Sequence, residues 1–159
     1  DLVGLLMLIF VGFGWGKPVP FNPYNLKFQR WGATLVALSG PLANLFGIVV
    51  FGGATALLLR LRLVADTNML IEFLLLLVTL NVVLMLFNLI PLPPLDGSKV
   101  LLDFLAQPRY EHARQLLETR GPFILLALVL LDSFSPFSIF GTLFSGALSF
   151  VYRMILSFT

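Results

Sequence analysis

Long apolar runs alternate along the chain with short polar or proline-rich interruptions. Residues 31–59, 69–89 and 137–158 are each long enough, at about 1.5 Å per helical residue, to cross the roughly 30 Å hydrocarbon core of a bilayer. Residues 2–13 form a shorter apolar run, which we interpret as the end of a spanning helix that begins upstream. The pattern predicts an all-α polytopic membrane protein, folded as a helical transmembrane bundle.

The segments between these spans are of several kinds. Residues 98–106 have the pattern of a short helix, and residues 108–120 are charged and amphipathic, which is typical of a surface segment. Residues 121–131 are apolar but short, and a turn is expected at 132–136. Residues 16–23 contain three prolines, which favour a short extended or β segment over a helix. We expect residues 1–159 to form a single transmembrane domain.

Composition supports a membrane location. Of the 159 residues, 58% are hydrophobic and 11% are charged, whereas a soluble domain usually has about 25% charged residues. Lipid is therefore the expected solvent for much of the surface, and we expect a multi-pass protein of the cell membrane. The net charge of +2 is small and its basic residues are scattered, so nucleic acid is not an expected partner. The sequence does not predict an oligomeric state.

Cysteine usage and the first residue set two further limits. The chain contains no cysteine, which excludes disulfides and thiolate metal ligands. It begins with Asp1 rather than methionine, and no signal peptide pattern precedes the first apolar run. We therefore expect the chain to be an internal or C-terminal part of a longer protein.

A carboxylate in an apolar, proline-broken segment is the most unusual feature of the sequence. Residues 88–97 contain three prolines, and they also contain Asn88 and Asp96. Unwound backbone at membrane depth survives only where protein or a wet cavity surrounds it. An intramembrane carboxylate is a functional candidate because its ionised form is costly in lipid. The alternative is that Asp96 caps the helix that begins near Ser98.

Three segments in order carry recognisable motifs. Residues 88–97 read Asn-x-x-Pro-x-Pro-x-x-Asp-Gly and follow an apolar span. Residues 14–23 are similar to Gly-Trp-Ala-Lys-Pro-Val-Pro-x-Asn-Pro, and residues 39–44 contain Gly-Pro-x-x-Asn. Together these motifs resemble those of the site-2 proteases, the intramembrane zinc metalloproteases, and in particular a compact bacterial and archaeal branch. The resemblance covers essentially all of residues 1–150.

The resemblance implies a role for each matching position. Asp96 occupies the place of the carboxylate ligand of Zn²⁺, and Asn88 that of an asparagine that helps to hold substrate near the metal. Asn44 lies on the motif helix that packs beside the active site. A membrane protein or peptide would be the substrate, and a zinc-bound water would attack its peptide bond. An asparagine side chain supplies both a donor and an acceptor for the substrate backbone.

The extended segment is a second candidate for substrate binding. Backbone groups alternate in direction along a strand, so Pro18 and Pro20 remove donors from one edge and leave Val19 and Phe21 on the other. Such an edge could accept a substrate strand, and we expect Lys17, Val19 and Phe21 to contact substrate. An interfacial turn with no substrate role explains the same residues equally well.

The Gly-Pro-x-x-Asn segment also has a purely structural interpretation. Ser39, Ala43 and Gly47 are spaced four apart and could form a small-residue seam for helix packing. An interhelical hydrogen bond is as good an explanation of Asn44 as a direct role in catalysis.

The chain departs from the family at one motif. The His-Glu-x-x-His helix, which supplies two zinc ligands and the general-base glutamate, is absent. The single histidine, His112, lies in a charged segment and is expected at the surface. The chain alone is therefore not expected to be an active protease, and we expect the missing motif upstream of Asp1. The alternative is a degenerate homologue, a non-enzymatic membrane binding or transport protein with Asp96 as an ion site.

Overall fold

The computed structural model describes residues 2, 5, 6, 9, 32–135 and 138–158. The chain divides into two compact units, residues 1–32 and 33–159, and nearly all of the described residues belong to the second. The predicted extended segment at residues 16–23 lies outside the described residues. The assignment of residues 1–159 to one domain stays a prediction.

Every regular element among the described residues is helical, so the predicted all-α class is confirmed. Three of these helices are long and apolar enough to cross a membrane, in agreement with the three predicted spans. In chain order the elements are α1 (Gly32–Arg60), α2 (Met69–Asn88), α3 (Gly97–Phe104), a 3-10 turn (Pro108–Tyr110), α4 (Glu111–Phe134) and α5 (Ile139–Ser157).

The outer faces of the three candidate spans, on α1, α2 and α5, are apolar. Phe46 on α1 and Phe150 on α5 are 70% and 65% exposed, and Leu76 on α2 is 53% exposed. Large apolar side chains that protrude in this way need an apolar solvent. This exposure agrees with the hydropathy of the helices, and the protein is a membrane protein.

The three helices meet in a small apolar core. Ile48 of α1, Val78 and Val82 of α2, and Ile155 of α5 are buried and pack together. A Cβ atom placed on Gly52 would lie 3.1 Å from the Ile155 side chain, so this glycine lets α1 and α5 approach closely. Small residues commonly allow such close packing in membranes.

The predicted small-residue seam on α1 is wrong in two of its three positions. Ser39 and Ala43 are exposed, and the Ser39 hydroxyl donates back to the Val36 carbonyl within the same helix. Of the three residues, only Gly47 lies close to α2, since a Cβ placed on it would be 2.5 Å from Asn81 Oδ1. At 3.6 residues per turn, Gly40 shares a face with Gly47 better than Ser39 does.

The amphipathic segment and the apolar segment after it form one helix rather than two. Glu111–Phe134 is continuous, with Pro122 inside it. Its first ten residues are mostly exposed and include an ion pair between Arg114 Nε and Glu118 Oε1 at 3.0 Å. Gly121 is buried, and a Cβ placed on it would lie 2.8 Å from ring atoms of Pro93. The helix therefore passes from the charged segment into the apolar one without a break.

Asp132 joins the end of α4 to the start of α5, outside the three candidate spans. The Ser138 hydroxyl donates to Asp132 Oδ2 at 2.7 Å, and the backbone N–H of Ile139 donates to Oδ1 at 2.5 Å. The Ser138 hydrogen bond, followed by those from Ile139 and Phe140, holds the pKa of Asp132 below its ordinary value of 3.8, although partial burial opposes this. A carboxylate at a helix N-terminus also interacts favourably with the helix dipole.

The Asp132 contacts should therefore stabilise the protein in a pH-dependent way. Because the pKa is lowered in the folded state, the stabilisation is present above pH 3.8 and is lost as the pH falls through the lowered value. We expect Asp132→Ala to lower the unfolding temperature in detergent at neutral pH, and the difference from the wild type to shrink in acid. Asp66→Ala, at an exposed loop aspartate, is the control and should have little effect. An equal drop in the unfolding temperature of Asp132→Ala at neutral and at acidic pH would contradict this pH dependence.

Candidate active site at the end of α2

The proline-rich segment after α2 is a compact turn. Backbone N–H groups of Ile90, Leu92 and Leu95 donate to the carbonyls of Phe87, Ile90 and Leu92 at 2.8–3.1 Å. The three prolines occupy positions where no donor is required. The segment therefore satisfies these backbone donors without a regular helix, which reduces the cost of unwound backbone near a membrane.

Asp96 ends this turn and begins α3. Its backbone is helical, with φ −60° and ψ −39°, and its side chain makes no capping hydrogen bond. Asp96 therefore stands at the N-cap position of α3, but its side chain does not cap the helix. The carboxylate instead lies against α1, because a Cβ placed on Gly40 would be 2.8 Å from Asp96 Oδ2. The motif glycine of α1 and the motif aspartate are thus in contact.

Two glycines fix the turn on either side of Asp96. Gly97 packs on the turn's own backbone, and a Cβ placed on it would meet the carbonyl oxygens of Leu89 and Ile90, the second at 2.8 Å. Gly121 of α4 packs against the Pro93 ring. The position of Asp96 therefore depends on close backbone approaches on both sides of the turn.

Asn88 and Asn44 lie near the same end of the α1–α2 pair. Gly47 meets Asn81 and Gly52 meets Val78, so α1 and α2 run antiparallel. Asn88 follows Asn81 by seven residues, almost two full turns, which places it at the level of Gly40 on α1. Asn44 follows Gly40 by one turn, on the same face. By this register the two asparagines lie near the level of Asp96 along the helix pair.

The three polar side chains are open and have no protein partner in the part of the chain that the structure describes. Asn44, Asn88 and Asp96 are each half-buried. Among the described residues no buried side-chain nitrogen or oxygen lacks a hydrogen-bond partner, so the free polar atoms of these three residues must have accessible surface. The alternative of an interhelical hydrogen bond from Asn44 has no support within residues 32–135 and 138–158. The arrangement can bind a ligand.

The described residues fit one ligand of a zinc site and not a complete site. No group of three His, Cys, Asp or Glu residues that could hold a metal occurs in the described ranges. Asp96 offers an open carboxylate, whereas His112 is exposed on the first turn of α4. A catalytic zinc typically needs three protein ligands, so further ligands would have to come from elsewhere. Lys17, Val19 and Phe21 lie outside the described residues, and their predicted contacts stay predictions.

Sequence reasoning missed the contact that joins α3 to α1. The Thr34 hydroxyl donates a hydrogen bond to Asp103 Oδ2. Asp103 follows Asp96 by seven residues, which places both carboxylates on the same face of a short apolar helix. This spacing is the signal in the sequence that could have pointed to Asp103. Its partner on α1 could not be identified without the packing of the two helices.

Comparison with known proteins agrees with the motifs. Residues 60–129 match the sequence model of Peptidase family M50, a match that includes Asn88 and Asp96. The chain is also similar to the "Putative zinc metalloprotease YwhC" of Bacillus subtilis (strain 168), with 36% identity over 133 residues, 80% of this chain. These matches support the assignment of the chain to the site-2 protease family.

The aligned region covers 59% of the length of the Bacillus subtilis relative. No solved structure matches the chain.

The packing of Gly97 predicts a specific sensitivity. We expect Gly97→Ala to lower the free energy of unfolding by about 1–3 kcal/mol, because the added methyl group must displace the backbone of the turn. Gly53→Ala is the matched control, since a Cβ at Gly53 meets nothing within 4 Å. Its expected effect is neutral or a gain of up to about 1 kcal/mol from helix propensity. Unfolding in mixed micelles measures the free energy of unfolding of both variants. Equal effects of Gly97→Ala and Gly53→Ala would contradict the close packing of Gly97 on the turn.

The openness of the site can be measured by chemical labelling. In the full-length protein, with any other cysteines replaced by serine, Asp96→Cys and Asn88→Cys should react with a maleimide. Ser98→Cys should react at least about tenfold more slowly, because Ser98 is 1% exposed although it lies two residues from Asp96. Equal rates at positions 96 and 98 would show that the carboxylate position is not open as described.

Proposed function

We propose that the chain is part of an intramembrane zinc metalloprotease that hydrolyses peptide bonds of membrane-embedded proteins or peptides. The observation that carries the proposal is the open Asp96 carboxylate, held against the Gly-Pro-x-x-Asn helix at Gly40. The match to Peptidase family M50 supports it. The protein would work as a multi-pass protein of the cell membrane, in contact with the lipid bilayer.

Asp96 would supply one ligand of Zn²⁺, and the remaining ligands and the general base would come from outside this chain. A carboxylate oxygen is a normal zinc ligand. The acidic side chain is half-buried, and in an apolar region it has few ways to be neutralised other than a metal or a proton.

Asn88 and Asn44 would hold the substrate. A substrate segment must leave its helical conformation before its peptide bond can be cut, and this exposes backbone donors and acceptors in an apolar environment. An asparagine side chain can bond to both kinds of group. The two amides have free polar atoms within the described residues and lie near the level of Asp96. Lys17, Val19 and Phe21 would add an edge for the same substrate.

Substitution of Asp96 tests the proposal directly. In the full-length protein, Asp96→Ala should reduce cleavage of a membrane-embedded test substrate to background and should reduce the zinc content of the purified protein. Asp66→Ala, at an exposed loop aspartate, should leave both unchanged. If Asp96→Ala retains wild-type cleavage, Asp96 is not a ligand of the catalytic metal.

The same zinc measurement separates the protease from the alternative of a membrane transport or binding protein. The proposal expects one tightly held zinc per wild-type chain. A purified full-length protein without zinc and without cleavage would favour the non-enzymatic alternative.

A further inference from the structure

A second carboxylate on α3 has no role in the proposed reaction. Asp103 is half-buried near the C-terminal end of α3 and accepts a hydrogen bond from the Thr34 hydroxyl. Thr34 lies in the first turn of α1 and is 7% exposed. Hydrogen bonds to carboxylates are stronger than those between neutral groups, and a partner lost at a buried site leaves the remaining group unsatisfied. The contact therefore strongly restrains the two helices.

The contact lies at the opposite end of α3 from the Asp96 contact with α1. Asp96 meets Gly40, whereas Asp103 meets Thr34. The two contact points are seven residues apart on α3 and six apart on α1, so α3 runs antiparallel along the beginning of α1. At about 1.5 Å per residue these separations are roughly 10.5 Å on α3 and roughly 9 Å on α1. Two matched contacts fix the register of α3 on α1.

The same two contacts also fix the rotation of α3 about its own axis. Seven residues make almost two complete turns, so Asp96 and Asp103 project from one face of α3. A rotation that moves Asp103 away from Thr34 therefore also moves the Asp96 carboxylate away from Gly40. Helix α3 has only eight residues, and a helix this short has little rigidity without tertiary contacts.

We propose that Thr34 and Asp103 are positioning residues, whose hydrogen bond holds α3 in the orientation that aims the Asp96 carboxylate at the face of α1 that carries Gly40 and Asn44. The inference rests on the proposed function only for the role that it gives Asp96. The position of Asp96 itself can be measured without metal or substrate.

The first measurement follows position 96 without activity. In the metal-free Asp96→Cys full-length protein, prepared with a chelator and with any other cysteines replaced by serine, addition of Thr34→Val removes the hydroxyl and keeps the side-chain shape. We expect the rate of maleimide labelling at position 96 to rise about tenfold, because α3 can rotate away from α1. Thr34→Ser keeps the hydroxyl and should restore the rate to within about twofold of the parent.

Two further variants serve as control and as confirmation. Thr55→Val is the matched control, because Thr55 is also a buried threonine of α1 but bonds only within its helix, to the Phe51 carbonyl at 2.8 Å. It should leave labelling unchanged. Asp103→Leu removes the acceptor instead of the donor and should match Thr34→Val. The double variant Thr34→Val/Asp103→Leu should show no larger effect on labelling than either of its single variants, since each of them removes the same hydrogen bond.

The second measurement is made with Asp96 intact. Thr34→Val should lower kcat for cleavage of the test substrate by about 10–100-fold, the range found when groups that orient metal ligands are removed. KM should change little, and Thr34→Ser should restore kcat. A purely structural role would lower the amount of folded protein and leave kcat per folded molecule unchanged.

The outcomes separate this inference from the proposed function. Unchanged labelling in both Thr34→Val and Asp103→Leu would overturn the positioning role, whatever the activity. Unchanged kcat in folded Thr34→Val would also overturn it. If labelling changes as expected but the wild-type protein neither binds zinc nor cleaves the substrate, the proposed function fails while the control of Asp96 by Thr34 and Asp103 stands.

Discussion

The approach of the Asp96 carboxylate to the backbone of α1 is the contact on which the candidate site depends. It is possible because position 40 has no side chain, and any Cβ there would lie 2.8 Å from Asp96 Oδ2. The three prolines before Asp96 and the close packing of Gly97 bring the carboxylate out of the regular path of α2. Glycine and proline together thus place an acidic group beside a membrane-spanning helix, where acidic side chains are rare because they are costly in lipid.

The surrounding helices give this contact a fixed frame. Gly47 and Gly52 let α1 approach α2 and α5 closely, and the antiparallel register of α1 and α2 brings Asn88 and Asn44 toward Asp96. At the other side of the turn, Gly121 of α4 packs against Pro93. The site is therefore assembled largely from close packing contacts at glycines. Packing of this kind is the main source of cohesion between helices in lipid.

Much of this structure could be predicted from the sequence, and the limits have physical causes. Hydrophobic length alone predicts the helices that the structure shows as α1, α2 and α5, and the prolines with Asp96 mark the turn. The sequence divides residues 108–131 into a charged and an apolar segment. It does not predict that one helix, α4, runs through both, because Gly121 and Pro122 locally favour a break. The Thr34–Asp103 bond could not be predicted, since it depends on which residues of α3 and α1 face each other.

We propose that Asp96 is a ligand of a catalytic zinc in the full-length protein. Anomalous diffraction at the zinc absorption edge, from crystals of that protein, is a direct test. We predict one zinc peak at about 2.0–2.2 Å from an oxygen of Asp96, the normal distance for a carboxylate ligand. A zinc ion bound by other residues, with the Asp96 carboxylate outside its coordination sphere, would show that Asp96 is not a ligand.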